Sequence, residues 1–101
     1  MRALMIGQSA RLIDIPNELE ALQKAVGGYI EAITLDYGAV MIVDEEGRLK
    51  DYQRNDLASL IAGVGIVGKA LIVGVDGEEF DDVPDLYIEG ILLLQDVMNE
   101  R

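Results

Sequence analysis

The fold class can be read from one segment near the middle of the chain, Tyr29-Ile-Glu-Ala-Ile-Thr-Leu-Asp-Tyr-Gly-Ala-Val-Met-Ile-Val43. Its two halves are rich in β-branched and other apolar residues, and the turn-forming run Asp36-Tyr-Gly38 separates them. Two such runs around a short turn predict an antiparallel β-hairpin.

The flanking segments predict the other elements. Asn17 is a candidate N-cap for a helix, because Glu20 follows it in capping-box spacing. Gly27-Gly28 is predicted to end that helix. Asn55 or Asp56 is predicted to be the N-cap of a short helix over 57–62. Strands are predicted at 2–8, 11–15 and 69–75, an acidic loop at 76–85, and a closing helix at about 84–99. This order predicts a small single α+β domain over residues 1–101, with a mainly antiparallel sheet, one central helix and a C-terminal helix packed on it.

Composition excludes several classes of chemistry. The 101 residues include no Cys and no His, which removes disulfides, Cys/His zinc sites, thiolate nucleophiles and imidazole bases. Ser and Thr are scarce as well, so we expect a protein that is not an enzyme and needs no cofactor. Catalysis by carboxylates, Tyr, Lys or an oxygen-bound metal is the weakest alternative.

The charge balance limits the partners. Nineteen acidic residues against eight basic ones give a net charge of -11, so direct nucleic-acid binding is not expected. The longest uncharged run, residues 57–68, is too short to span a bilayer, and the N-terminus does not resemble a signal peptide. We expect a cytoplasmic protein without membrane contact.

Two motifs suggest ligands but have ordinary structural explanations. Residues 63–70 match glycine-rich phosphate-binding patterns, yet a predicted helix precedes them and a strand follows, which is the reverse of the order that such sites need. They are therefore predicted to be a glycine-rich connection. In the acidic loop, a loose oxygen site for a cation is less expected than a solvated loop.

The hexapeptide Val26-Gly-Gly-Tyr-Ile-Glu31 is the most distinctive motif. It fits a helix C-cap followed by a strand, or a pocket in which free glycine amides, a phenol and a carboxylate meet a ligand. Both interpretations stay open here, with the structural one favoured.

Residues 17–31, which end in this hexapeptide, resemble the domain of unknown function 3846 family, small proteins common in phages, prophages and mobile elements. Val43-Asp-Glu-Glu-Gly-Arg-Leu49 with Asn55, and Ile66-Val-Gly-Lys-Ala-Leu-Ile-Val-Gly74, are also similar to the family pattern. The family usually has Asn at position 44 and a basic residue at position 56, where this chain has Asp44 and Asp56. The resemblance covers about residues 1–85.

The resemblance implies a phage-type accessory protein that inhibits a host function or counters a defence by binding and sequestration. One hypothesis is an acidic mimic of nucleic acid that occupies the basic groove of a host or defence protein. The other is a sponge for a nucleotide-like small molecule. Its candidate binding residues are Gly27, Gly28, Tyr29, Glu31, Arg48, Arg54 and Asn55. Leu92-Leu-Leu94 on the closing helix also suggests a possible homodimer.

Overall fold

The structure is a computed structural model that describes residues 1–99. Its nine elements follow the order expected of an α+β protein. They are β1 (Arg2–Ile6), β2 (Ala10–Asp14), α1 (Leu19–Val26), β3 (Ile30–Thr34), β4 (Ala39–Asp44), α2 (Asp56–Ala62), β5 (Ala70–Asp76), β6 (Glu79–Asp81) and α3 (Asp85–Asn99).

All strands belong to one antiparallel sheet with the order β2-β1-β5-β4-β3, and β6 pairs with the far end of β5. The predicted hairpin is present as β3 and β4, with Glu31 opposite Val43 and Ile33 opposite Met41. Strand β5 lies between β1 and β4, which explains why its run Ala-Leu-Ile-Val is buried on both faces. The α+β class and the antiparallel sheet are confirmed.

Helices cover both faces of the sheet. On one face, Leu22 and Val26 of α1 pack against Ile42 and Leu71. On the other, α2 and α3 cover alternate residues of the same strands, and Ile91 anchors α3 in that core. The closing helix thus packs on the sheet as predicted. The helix anticipated over 57–62 is α2, and its N-cap is Asn55.

Two predictions of local structure are wrong. The acidic segment is not entirely a loop, because Glu79–Asp81 forms β6, which pairs with β5 and places Phe80 against the core. Asn17 does not cap α1: the N-cap is Glu18, without a side-chain cap bond. The amide of Asn17 instead donates 2.8 Å to the carbonyl of Phe80, so a contact with a distant strand replaces the local one.

The glycine-rich connection is confirmed. Residues 63–69 join the end of α2 to the start of β5, with Gly63 in the left-handed conformation that ends the helix. No amides at a helix N-terminus follow these glycines, so the geometry of a phosphate-binding loop is not formed there. Among the described helices, none combines the length and the apolar character needed to cross a membrane.

Candidate functional site

The two glycines of the hexapeptide end α1 as its sequence predicts. Gly27 has a φ of 103°, a left-handed conformation that favours glycine. The amides of Gly27 and Gly28 both donate to the carbonyl of Gln23, at 2.8 and 3.1 Å. These amides complete the helix cap, so they are not free to bind a ligand.

The glycines also allow two side chains from the next loop to approach closely. A Cβ on Gly27 would lie 2.6 Å from the hydroxyl of Tyr52, and one on Gly28 would lie 2.6 Å from Nζ of Lys50. A Cβ on Gly68 would likewise lie 2.6 Å from Cδ2 of Tyr52. Gly27 and Gly68 therefore both leave room for the Tyr52 side chain, the first at its hydroxyl and the second at its ring.

Asp44, at the end of β4, organises this loop. Its side chain is 1% exposed and accepts hydrogen bonds from Nζ of Lys50 at 2.9 Å, the Tyr52 hydroxyl at 3.0 Å and the Glu46 amide at 2.9 Å. Lys50 also donates 3.1 Å to the carbonyl of Gly27. A buried carboxylate needs such partners, since an unpaired one is costly to bury. We call Asp44, Lys50 and Tyr52 the aspartate cluster.

Electrostatics fix the protonation states of the cluster. The hydrogen bond from Lys50 lowers the pKa of Asp44, against the opposing effect of burial. The same bond raises the pKa of Lys50, and the hydrogen bond to Asp44 raises the pKa of Tyr52. At neutral pH the cluster thus holds a carboxylate, an ammonium and a neutral phenol, which suits a structural link better than proton transfer.

A basic cleft of about 850 Å³ opens beside the Tyr52 ring. Three cationic residues from separate parts of the chain line it: Lys24 in the last turn of α1, Arg54 before α2, and Lys69 directly before β5. Asp56 is the acidic residue in its lining, and its carboxylate lies 3.1 Å from Nε of Arg54. The other lining residues are Gly7, Gln8, Ala25, Val26, Gly27, Tyr52, Gln53, Asn55, Leu57 and Gly68.

Asn55 lies at the floor of the basic cleft and is 6% exposed. Its side-chain oxygen accepts 3.0 Å from the amide of Ala58, which caps α2. Its side-chain nitrogen donates to the carbonyls of Ile6 at 3.0 Å and Gly68 at 2.8 Å. These bonds use both amide protons, so Asn55 holds the cleft together and has no donor left for a ligand.

A second cavity of about 340 Å³ lies on the other side of the Asp44 turn. Arg48 lines it and donates 3.0 Å to the carbonyl of Gly65. The Arg54 guanidinium approaches the same glycine, since a Cβ there would lie 3.4 Å from Arg48 and 3.5 Å from Arg54. The two arginines therefore converge on one turn while lining different cavities.

The seven predicted site residues do not form one pocket. Gly27, Arg54 and Asn55 line the basic cleft, whereas Glu31 and Arg48 line the second cavity. Gly28 packs against the aspartate cluster. The side chain of Tyr29 is 66% exposed and lines neither space.

Sequence reasoning missed the aspartate cluster and the two lysines of the basic cleft. The position of Asp44 directly after the apolar run 39–43 could have indicated the cluster. A carboxylate at the end of a buried strand needs hydrogen-bonding partners. Nothing local linked Lys24 to Lys69, since they are distant in sequence and only the folded chain brings them to one cleft. In the part of the chain that the structure describes, no three acidic side chains converge as metal ligands would.

The fold and the cleft define a small α+β protein with a sheet covered on both faces and a basic recess between its loops. The chain belongs to the family described as "Domain of unknown function (DUF3846)", whose model matches residues 1–95. This confirms the expected membership, and the match extends beyond the region 1–85 into α3. Neither the curated proteins nor the solved structures contain a match to the chain.

Proposed function

We propose that this chain is a non-enzymatic, phage-type accessory protein that sequesters a small, anionic, nucleotide-like molecule in the basic cleft. The observation that carries the proposal is the gathering of Lys24, Arg54 and Lys69 around one recess. These are three of only eight cationic residues in a chain of net charge -11. A host-inhibitory or counter-defence role is part of the proposal.

The local field favours an anion despite the acidity of the chain. Exposed charges are screened beyond about 8–10 Å at physiological salt, so the residues that line the cleft dominate the field inside it. The carboxylate of Asp56 pairs with Nε of Arg54, which leaves the terminal guanidinium nitrogens of Arg54 for a ligand. The ammonium groups of Lys24 and Lys69 are exposed and can meet phosphate oxygens as compact charges.

The remaining surface of the cleft fits a nucleoside. Tyr52 supplies an aromatic side chain against which a base can pack, while Gln8 and Gln53 offer donors and acceptors for base or ribose edges. A volume of about 850 Å³ falls within the range of about 300–1,000 Å³ of ordinary ligand sites.

The chemistry of the cleft supports binding over catalysis. The hydroxyl of Tyr52 donates to Asp44, and its pKa is raised, so it is a poor base at neutral pH. Lys50 is held as an ammonium by the same carboxylate, which raises its pKa and removes it as an amine nucleophile. These groups hold the cleft wall in place.

A second candidate function rests on a different surface. All six carboxylates from Asp76 to Asp85 are exposed, and they extend from the end of β5 through β6 to the start of α3. Such a surface supports an acidic mimic of nucleic acid that occupies a basic groove of a host or defence protein. Complex formation with that protein would weaken steeply as salt is raised, and binding that is indifferent to salt would exclude the mimic.

Calorimetric titration with AMP, ATP and a cyclic dinucleotide tests the cleft directly. We expect at least one of these to bind, and the double variant Lys24→Gln/Lys69→Gln to lose at least tenfold in affinity, because two phosphate partners are removed. Arg11→Gln is the matched control, since it removes a cation from β2, outside the cleft. Absence of binding by all three probes, or equal affinity of the double variant, would refute this function.

A further inference from the structure

The edge of the sheet at β3 has a regular backbone pattern. The amide of Leu35 donates 2.9 Å to the carbonyl of Ala39, and that of Glu45 donates 2.8 Å to the carbonyl of Tyr29. In an antiparallel ladder the direction of these groups alternates along the strand. Residues 29, 31, 33 and 35 therefore bond to β4, whereas Ile30, Ala32 and Thr34 direct their amides and carbonyls away from the sheet.

The opposite edge, β2, is covered at its first residue. The amide of Ile15 donates to the carbonyl of Met1. By the same alternation, the backbone amides and carbonyls of Ala10, Leu12 and Asp14 therefore point away from the sheet. The side chain of Gln95 on α3 covers Ala10: its oxygen accepts from the Ala10 amide, and its nitrogen donates 3.3 Å to the Ala10 carbonyl. At this position a side-chain amide thus takes the place of a neighbouring strand.

Strand β3 carries no such protection. Within residues 1–99, no strand pairs with its outer side. It contains neither proline nor lysine, its single charge is Glu31, and both Ala32 and Thr34 are exposed. Natural proteins usually protect an edge strand with charges, proline, a bulge or a covering segment, because an open edge is a template for another strand.

We propose that β3 is an interface at which a second copy of this chain adds its own β3, forming one continuous sheet across the two copies. The two-fold axis passes Ala32, so Ala32 faces its counterpart and Ile30 faces the second copy's Thr34. All three outward residues of each strand then pair, giving about six backbone hydrogen bonds.

The sequence of β3 fits this pairing with itself. With Ala32 on the axis, Glu31 lies opposite the second copy's Ile33, so like charges do not face each other directly. The two alanines at the centre leave room for close approach of the strands. The same symmetry makes the interface closed, as expected of a two-fold dimer, instead of an open fibre.

This interface is independent of the proposed ligand site. No residue of β3 lines the basic cleft, so dimer formation does not require its occupation. Each copy carries a net charge of -11, so mutual repulsion opposes association. Added salt screens that repulsion and strengthens the dimer, which is the opposite of the salt effect expected for an acidic mimic bound to a basic partner.

Sedimentation equilibrium of the full chain at about 1–100 μM, in low and high salt, tests the interface. We expect a mass of twice 11.0 kDa to be approached at high concentration, more readily in high salt. Ala32→Pro removes an outward amide without breaking a bond to β4, and should raise the dimer dissociation constant at least tenfold. Leu12→Pro makes the same change at the β2 edge, away from the proposed interface, and should leave the dissociation constant unchanged.

A second variant covers the case in which proline perturbs the fold. Ala32→Glu leaves the backbone intact and places two carboxylates opposite each other at the axis, so it too should give a monomer. Circular dichroism and thermal melting establish that each variant is folded. A wild-type mass of 11.0 kDa at every concentration and salt, or folded Ala32 variants that still dimerise, would overturn the proposal and leave the edge to another chain.

Discussion

Replacement of Asn55 by alanine should cost about 3 kcal/mol of unfolding free energy. The loss of an N-cap accounts for about 1 kcal/mol of this. The two hydrogen bonds to the carbonyls of Ile6 and Gly68 add about 1 kcal/mol each, because the site is buried and water does not readily replace the amide. For a domain of this size the thermal midpoint should fall by about 12–24 °C.

Two further variants separate the cap from the donors, each measured by urea and thermal unfolding. Asn55→Ser keeps a cap acceptor and should recover about 1 kcal/mol relative to alanine. Asn55→Asp keeps the cap but replaces the donor by a charged acceptor facing two carbonyls, so at pH 7 it should be no more stable than alanine. The reasoning fails if alanine costs less than about 1 kcal/mol, or if the aspartate variant is as stable as the wild type.

Three other perturbations have expected outcomes in thermal unfolding. Gly90→Ala should stabilise the protein by about 0.5–1 kcal/mol, since Gly90 lies within α3 and a Cβ there meets nothing within 4 Å; a lower midpoint would contradict this. Gly74→Ala should strongly lower the midpoint, because its Cβ would collide with the backbone carbonyl of Asp82; an unchanged midpoint would refute the close packing of β6. The hydrogen bond from Lys50 holds the pKa of Asp44 below its ordinary 3.8, so the stability that this carboxylate provides is complete above about pH 4 and is lost as the pH falls through the folded-state pKa. The difference in midpoint between wild type and Asp44→Asn should thus be constant from pH 8 to 5 and narrow below pH 3.8; a difference that grows in acid would have the wrong sign.

The sequence predicted those parts of the fold that local patterns specify. The hairpin of β3 and β4 follows from two apolar runs around a turn, and the end of α1 follows from Gly27. Strand β6 could not be found in this way, because its residues are mainly acidic and only pairing with β5 makes them extended. Local propensity is overruled there by a tertiary contact.

The candidate site was predicted less well, for a related reason. The basic run from Arg48 to Arg54 suggested one anion site, but Lys50 is bound by Asp44 and the two arginines line different cavities. The basic cleft instead takes Lys24 and Lys69, which are distant along the chain. Charge clustering in sequence is a weak guide to clustering in space when a buried carboxylate competes for one of the cations.

The distinctive glycine pair gains a different meaning once the loop is in place. Its amides complete a helix cap, and the missing Cβ of Gly27 admits the Tyr52 hydroxyl to its hydrogen bond with Asp44. Gly68 also lies close to the same ring, at Cδ2. The Tyr52 side of the basic cleft is therefore held in place by the protein itself, and under the proposed function this would lower the ordering cost of binding. The two glycines thus contribute to the cleft through the position of the Tyr52 side chain, and not through the free amides that the sequence suggested.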